Sequence, residues 1–111
     1  GAAGSEIDSI SHEEGTPPHA LIVAEATEFG VDVHWVKEEF NHSHSAVNGE
    51  NCPHVRCDMV FYETPNGGAV FSTSSIAFAG SLAHNTYDNN VSRLLENVVR
   101  RFVDKEPFEA P

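Results

Sequence analysis

Positive charge is scarce in this sequence. Six Lys and Arg stand against 17 Asp and Glu, a formal net charge of −11 over 111 residues. That balance repels phosphate backbones and anionic headgroups, and so argues against nucleic-acid and membrane-surface binding. Long hydrophobic runs are missing too. No stretch approaches the ~20 apolar residues that a bilayer-spanning helix needs, and residues 1–15 lack the basic and apolar regions of a signal peptide. Methionine occurs once, at Met59, so Gly1 reads as the first residue of an excerpt or of a processed product. Gly1 also carries no Ser, Thr or Cys side chain, which argues against an N-terminal-nucleophile hydrolase. Cysteine is limited to Cys52 and Cys57. Two reduced thiols and no signal peptide favour the cytoplasm.

What remains is an ordinary globular composition, 40% hydrophobic, enough for one small domain or part of one. Residues 1–18 read as an extended entry segment closed by Thr16-Pro17-Pro18, because proline blocks a helix. The continuous apolar stretch in HALIVAEA, residues 19–26, predicts a buried strand. Residues 29–40 point two ways. Val31, Val33 and Trp35 alternate as in a strand, while Val33, Val36 and Phe40 share a helical face; we read a helix in the second half. Residues 41–56, rich in Asn, Ser, Gly and Pro, read as a loop. CDMVFYET, residues 57–64, is β-branched and aromatic and reads as a strand. Pro65-Asn66-Gly67-Gly68 then marks a tight hairpin turn, with residues 69–73 as the returning strand. Residues 74–82 read as a short helix capped by Ser74, or as more of that strand.

The last element has the clearest signature. Val91, Leu94, Leu95, Val98, Val99 and Phe102 follow helical spacing. Asp88, Asn89 and Asn90 are N-cap candidates, Arg100, Arg101 and Lys105 suit the helix C-terminus, and Pro107 is read as its end. A face with six apolar residues must dock on something. Strand, helix, hairpin and amphipathic helix together predict an α/β layer arrangement, too short to complete a doubly wound sheet.

Several residues invite a chemical reading. His42, His44, Cys52, His54 and Cys57 form a sequence-local set of zinc-type ligands, although the spacing matches no standard zinc motif. A solvated loop is the plainer reading. Neither cysteine lies in the strand–turn–helix elbow expected of a nucleophile. Asn41 and Asn90 each open a glycosylation-type triplet, best read as chance. Glu63, Thr64 and Asn66 stand where a ligand could meet a strand end, but turn chemistry accounts for Asn66. The serines of 72–75 could aim N–H groups at an anion, although helix capping is the simpler role. His19 reads as a hydrogen-bonded structural histidine. Glu6, between a glycine-containing entry and an apolar residue, could act as a general base on water; composition alone makes it an exposed loop acid.

Three stretches carry a resemblance. They are Gly4-Ser5-Glu6-Ile7-Asp8 with Gly15-Thr16-Pro17-Pro18-His19-Ala20, then DMVFYETPNGGAVFSTSSIAFAGSL over 58–82, then YDNNVSRLLENVVRRF over 87–102. In order along the chain they resemble the C-terminal part of the N,N-dimethylformamidase large (beta) subunit family. The resemblance implies that residues 1–111 are the C-terminal portion of an α/β domain of that subunit. That domain would be a partial class I glutamine-amidotransferase-like (flavodoxin-like) layer, lacking the amidotransferase cysteine nucleophile. It further implies hydrolysis of a small amide C–N bond with mononuclear iron, held by two tyrosines and a glutamate upstream of the segment matched here. No metal ligand is therefore expected on this chain, and Tyr62 and Tyr87 are not promoted to that role. A metal ion polarises an amide carbonyl and lowers the pKa of bound water. The expected partner is the rest of the large subunit or a companion chain, in an oligomer that proteolytic processing could create. Glu6 falls in the family's Gly-x-Glu-Ile-Asp stretch, and the resemblance makes it the candidate general base. The rival readings are a non-catalytic binding or assembly module of the same fold, and a zinc-binding module using Cys52, Cys57 and the nearby histidines.

Overall fold

The computed structural model describes residues 1–37 and 42–111, with the side chains of all of these except Lys37, His42 and Ser43. Its centre is a three-stranded antiparallel sheet of order β1-β4-β5, with β1 at Leu21–Ala26, β4 at Cys57–Glu63 and β5 at Ala69–Ser72. A second antiparallel pair joins β2 (His34–Lys37) to β3 (His42–Asn48). Helix α1 spans Ala77–Ser81 and α2 spans Asn90–Val103. The chain is thus of mixed α/β type, and both sheets are antiparallel.

The β4–β5 hairpin forms where the sequence predicts it. Thr64 N–H donates to the Gly68 carbonyl at 2.8 Å, and Gly67 takes φ +76°, which glycine accepts without a Cβ clash. A Cβ there would also meet Pro107 at 3.0 Å, because the C-terminal tail folds over the turn. Phe108 N–H donates to the Gly67 carbonyl at 2.9 Å, and its ring lies between Phe61 and Phe102 at 5.7 and 5.3 Å. Arg101 also stacks on this ring, its guanidinium carbon 3.8 Å from the Phe108 ring centre. This tail ties α2 to the sheet. The helix begins with Asn89, one of the three candidates, whose side chain accepts the Ser92 N–H at 2.9 Å. It ends at Val103, four residues before Pro107, with Arg100 and Arg101 in its last turn.

Four expectations are corrected. Residues 21–26 are a strand but not a buried one: Leu21, Ile22 and Val23 are 58%, 39% and 47% exposed. β1 is an edge strand with neither face covered, and a bulge at Val23 interrupts its register against β4. Residues 34–37 are strand rather than helix, so the alternating pattern prevails; residues 38–41, including Phe40 and Asn41, lie outside the described residues. The expected loop at 42–48 is β3, whose serines, histidines and asparagine are recruited by pairing rather than by propensity. This pair is locked at its far end by a tight approach. Gly49 N–H donates to the Val33 carbonyl at 2.9 Å, and a Cβ on Gly49 would fall 2.5 Å from Phe29, so only glycine fits. Finally, Ile76 rather than Ser74 is the N-cap of α1, without a side-chain bond.

The core is small. Val55, Cys57, Val60 and Phe78 are its buried apolar side chains among the described residues. The accessible surface is 7858 Å², against about 6,000 Å² from the scaling of a compact 12.1 kDa globule. The radius of gyration is 15.6 Å, where a compact domain of ~100 residues has about 13 Å.

Candidate functional site

Glu6 lies on an extended segment held along one side by residues 74–77 and on the other by the start of β4. Ile7 and Ser75 form an antiparallel bridge. Ile76 N–H donates to the Glu6 carbonyl at 3.2 Å, and Asp8 N–H to the Ser74 carbonyl at 3.0 Å. The Glu6 side chain itself is exposed, and its carboxylate makes no hydrogen bond or ion pair among the described residues. The structure therefore fixes this residue by its backbone and leaves its carboxylate without a partner among the described residues.

Beneath this segment sits an ion pair that the sequence reading did not single out. Asp58 is fully buried. Arg56 reaches it with two nitrogens, Nε at 2.8 Å and Nη2 at 2.6 Å from Oδ1, while Oδ2 accepts the Ile10 N–H at 3.0 Å. The same Nη2 meets Glu25 of β1 at 3.0 Å. A buried carboxylate needs such saturation, because an unpaired charge in a low-dielectric interior is costly. The hydrogen bond to Asp58 holds the Arg56 guanidinium above its ordinary pKa, against the opposing effect of burial. The signal was present in the chain: Arg-x-Asp at the start of a strand puts both side chains on one face.

Next to this pair, the Cys57 thiol donates to the Ser74 carbonyl at 3.1 Å. Burial, and then the neighbouring carboxylates of Asp58 and Asp8, push its pKa above the ordinary thiol value of 9.0. The folded state therefore binds this proton more tightly than the unfolded chain. Its contribution to stability is complete below pH 9.0 and is lost as pH rises above it. The urea midpoint is expected to fall as pH rises above 9.0, by more in the parent protein than in Cys57→Ala. An equal fall in both would show that Cys57 carries no such linkage.

A cleft of about 500 Å³ opens beside the segment, lined by Asp8, Glu13, Glu14, His34, Trp35 and His54 among others. The Trp35 and His54 rings stack at 5.6 Å. Ile7 and Asp8 reach the lining, whereas Glu6 does not. A second, apolar groove of about 550 Å³ runs along α2 between Leu82, Tyr87, Leu95, Val99 and Val103. Tyr87 is 65% exposed at its edge, presented by three successive left-handed residues, Asn85, Thr86 and Tyr87.

The other sequence candidates have plainer places. His19 Nε2–H donates to the Glu63 carbonyl at 3.0 Å and its ring meets Tyr62 edge-on, a structural histidine as expected. Ser72 and Ser74 share a hydroxyl–hydroxyl bond at 3.1 Å, and Ser75 bonds Gly4, so these serines order the chain rather than cap α1. His54 is engaged by Trp35, and His44 Nδ1 accepts the Ala46 N–H. Among the described residues no three His, Cys, Asp or Glu side chains stand together as metal ligands; His42 lies outside the described side chains. The described residues do not build an iron site. Among them, too, no helix is long and apolar enough to cross a membrane.

A family model for the N,N-dimethylformamidase beta subunit-like C-terminal region matches residues 1–89. The chain belongs to that family. It is 43% identical over 107 residues to the N,N-dimethylformamidase beta subunit of Paracoccus aminophilus and 41% identical over 107 residues to that of an Alcaligenes species. Each match covers 96% of this chain and 14% of the relative, so the chain spans about one seventh of the length of these dimethylformamidase subunits. Their similarity extends past the family match into α2.

Proposed function

We propose that this chain is part of an amide hydrolase, cleaving the C–N bond of a small amide as the dimethylformamidase name of its relatives describes. The observation that carries this reading is 43% identity across 96% of the chain to such a subunit. The surface supports the further proposal that the chain packs against the rest of a large subunit or a companion chain. It exposes roughly 1,900 Å² more than a compact globule of its mass, which is more than the ~800 Å² that one partner buries in a standard-size interface. Exposed apolar side chains lie on β1, at Leu21, Ile22 and Val23, and along α2, at Val99, Phe102 and Val103. On this reading the antiparallel β1-β4-β5 sheet is the margin of a larger glutamine-amidotransferase-like layer, in the cytoplasm.

Glu6 is the general base of the proposal. Its free carboxylate takes the proton of the attacking water as the new C–O bond forms at the amide carbon; the proton is then delivered to the departing amine. The mononuclear iron that the resemblance implies would be held by residues outside this chain.

The complete assembly, purified from its native source, tests the reading. Stoichiometric iron by elemental analysis, together with dimethylamine release from N,N-dimethylformamide or turnover of another small amide, is the expected result. An assembly of the full-length protein that is iron-free and inert toward small amides would leave a non-catalytic binding module of the same fold.

A further inference from the structure

We propose that Ser75 is a positioning residue for Glu6, with Asp58 as the second anchor of the same segment; this rests on the reading of Glu6 as the general base. The segment around Glu6 has little side-chain packing to hold it, since Ser5, Glu6, Asp8 and Ser9 are all exposed. It is held instead by polar anchors on its backbone. Ser75 Oγ donates to the Gly4 carbonyl at 3.1 Å and accepts the Gly4 N–H at 3.0 Å. One hydroxyl, 71 residues away in sequence, thus bonds both backbone groups of the residue two places before Glu6, whose carbonyl also accepts the Ala77 N–H at a longer 3.4 Å. On the other side, Asp58 N–H donates to the Asp8 carbonyl at 2.9 Å, and its buried carboxylate accepts the Ile10 N–H at 3.0 Å. Residues 4, 6, 8 and 10 are therefore each tied through the backbone, while the Glu6 carboxylate remains untouched.

The conformation between the anchors explains why the Ser75 clamp matters to Glu6 in particular. Ser5 takes φ +62°, a left-handed conformation that a non-glycine residue adopts only where its surroundings hold it. The clamp on Gly4 and the Ile76 bond to Glu6 stand on either side of that residue. Releasing the hydroxyl lets Ser5 relax toward extended backbone, which swings the Glu6 side chain away from its place. A base displaced by about 1 Å loses on the order of 10²-fold in rate.

The test uses the complete assembled enzyme with N,N-dimethylformamide as probe substrate. Per folded enzyme, Ser75→Ala is expected to lower kcat by roughly 10- to 100-fold with KM within about twofold, the pattern of lost transition-state positioning. Ser75→Thr, which keeps the hydroxyl, should retain most of kcat. Introduced on a Glu6→Gln background, Ser75→Ala should cost nothing further, which a general loss of structure would not reproduce. Hydrogen exchange of amides 4–10 should quicken in Ser75→Ala. If that variant does not assemble, Ser75→Cys keeps the volume while weakening both bonds and takes its place. Unchanged kcat in Ser75→Ala, or an equal loss on both backgrounds, overturns the positioning role while leaving Glu6 as base. Full activity of Glu6→Gln overturns the general-base reading itself, and the positioning role with it.

Discussion

Glu6→Gln in the complete enzyme is expected to lower kcat by roughly 10²- to 10⁴-fold, the range that a positioned general base contributes. Glutamine has nearly the shape of glutamate but cannot take up the proton of the attacking water. The backbone bond at Glu6, from the Ile76 amide to its carbonyl, does not involve the side chain and survives the change. Because the carboxylate is exposed and makes no bond among the described residues, stability should shift by no more than about 0.5 kcal/mol, as for other surface substitutions. Rate and stability are thereby separated. Glu13→Gln, an exposed acid of the nearby cleft, is the control: it removes the same charge close by and should leave kcat largely intact. Equal activity of the two variants would remove Glu6 from the mechanism.

The largest effect on stability is expected from Arg56→Ala. The variant strands the Asp58 carboxylate, which is 0% exposed and keeps only the Ile10 N–H as partner. Removing one member of a buried pair costs about 3–5 kcal/mol. The Arg56 side chain is 29% exposed, so about 3 kcal/mol, the lower end of that range, is the expected loss. Glu25 touches the same guanidinium but is 56% exposed; Glu25→Ala should cost less than about 1 kcal/mol, as surface pairs do. Urea unfolding of the two variants, compared with the parent, gives the contrast directly. Similar small losses in both would mean that water or another cation reaches Asp58, and that the pair does not anchor the start of β4.

The elements legible in the sequence are those whose causes are local. Pro65-Asn66-Gly67-Gly68 makes the β4–β5 hairpin because the positive φ at Gly67 is a property of the turn residues themselves. The spacing of Val91 through Phe102, with Asn89 before it, specifies α2 and its cap for the same kind of reason. β3 was not legible, because a strand of His, Ser, Ala, Val and Asn exists through its pairing with β2 and the close approach of Gly49 to Phe29. β1 was legible as a strand but not as an exposed one. An apolar run looks the same whether its cover lies in the same chain or elsewhere.

The site divides along the same line. By itself the sequence determined the family resemblance, the Gly-x-Glu-Ile-Asp setting of Glu6, the hairpin and the amphipathic helix, since each is written in contiguous residues. Only the tertiary structure decided that Asp58 is buried and paired, that Ser75 clamps Gly4 across 71 positions, and that His44, His54 and Cys57 each have a separate partner. Such contacts depend on how distant segments are brought together, at the cost of loop closure and with a geometry that no local pattern encodes. A serine in a run of serines and an aspartate at the head of a strand acquire their roles from what the folded chain places opposite them.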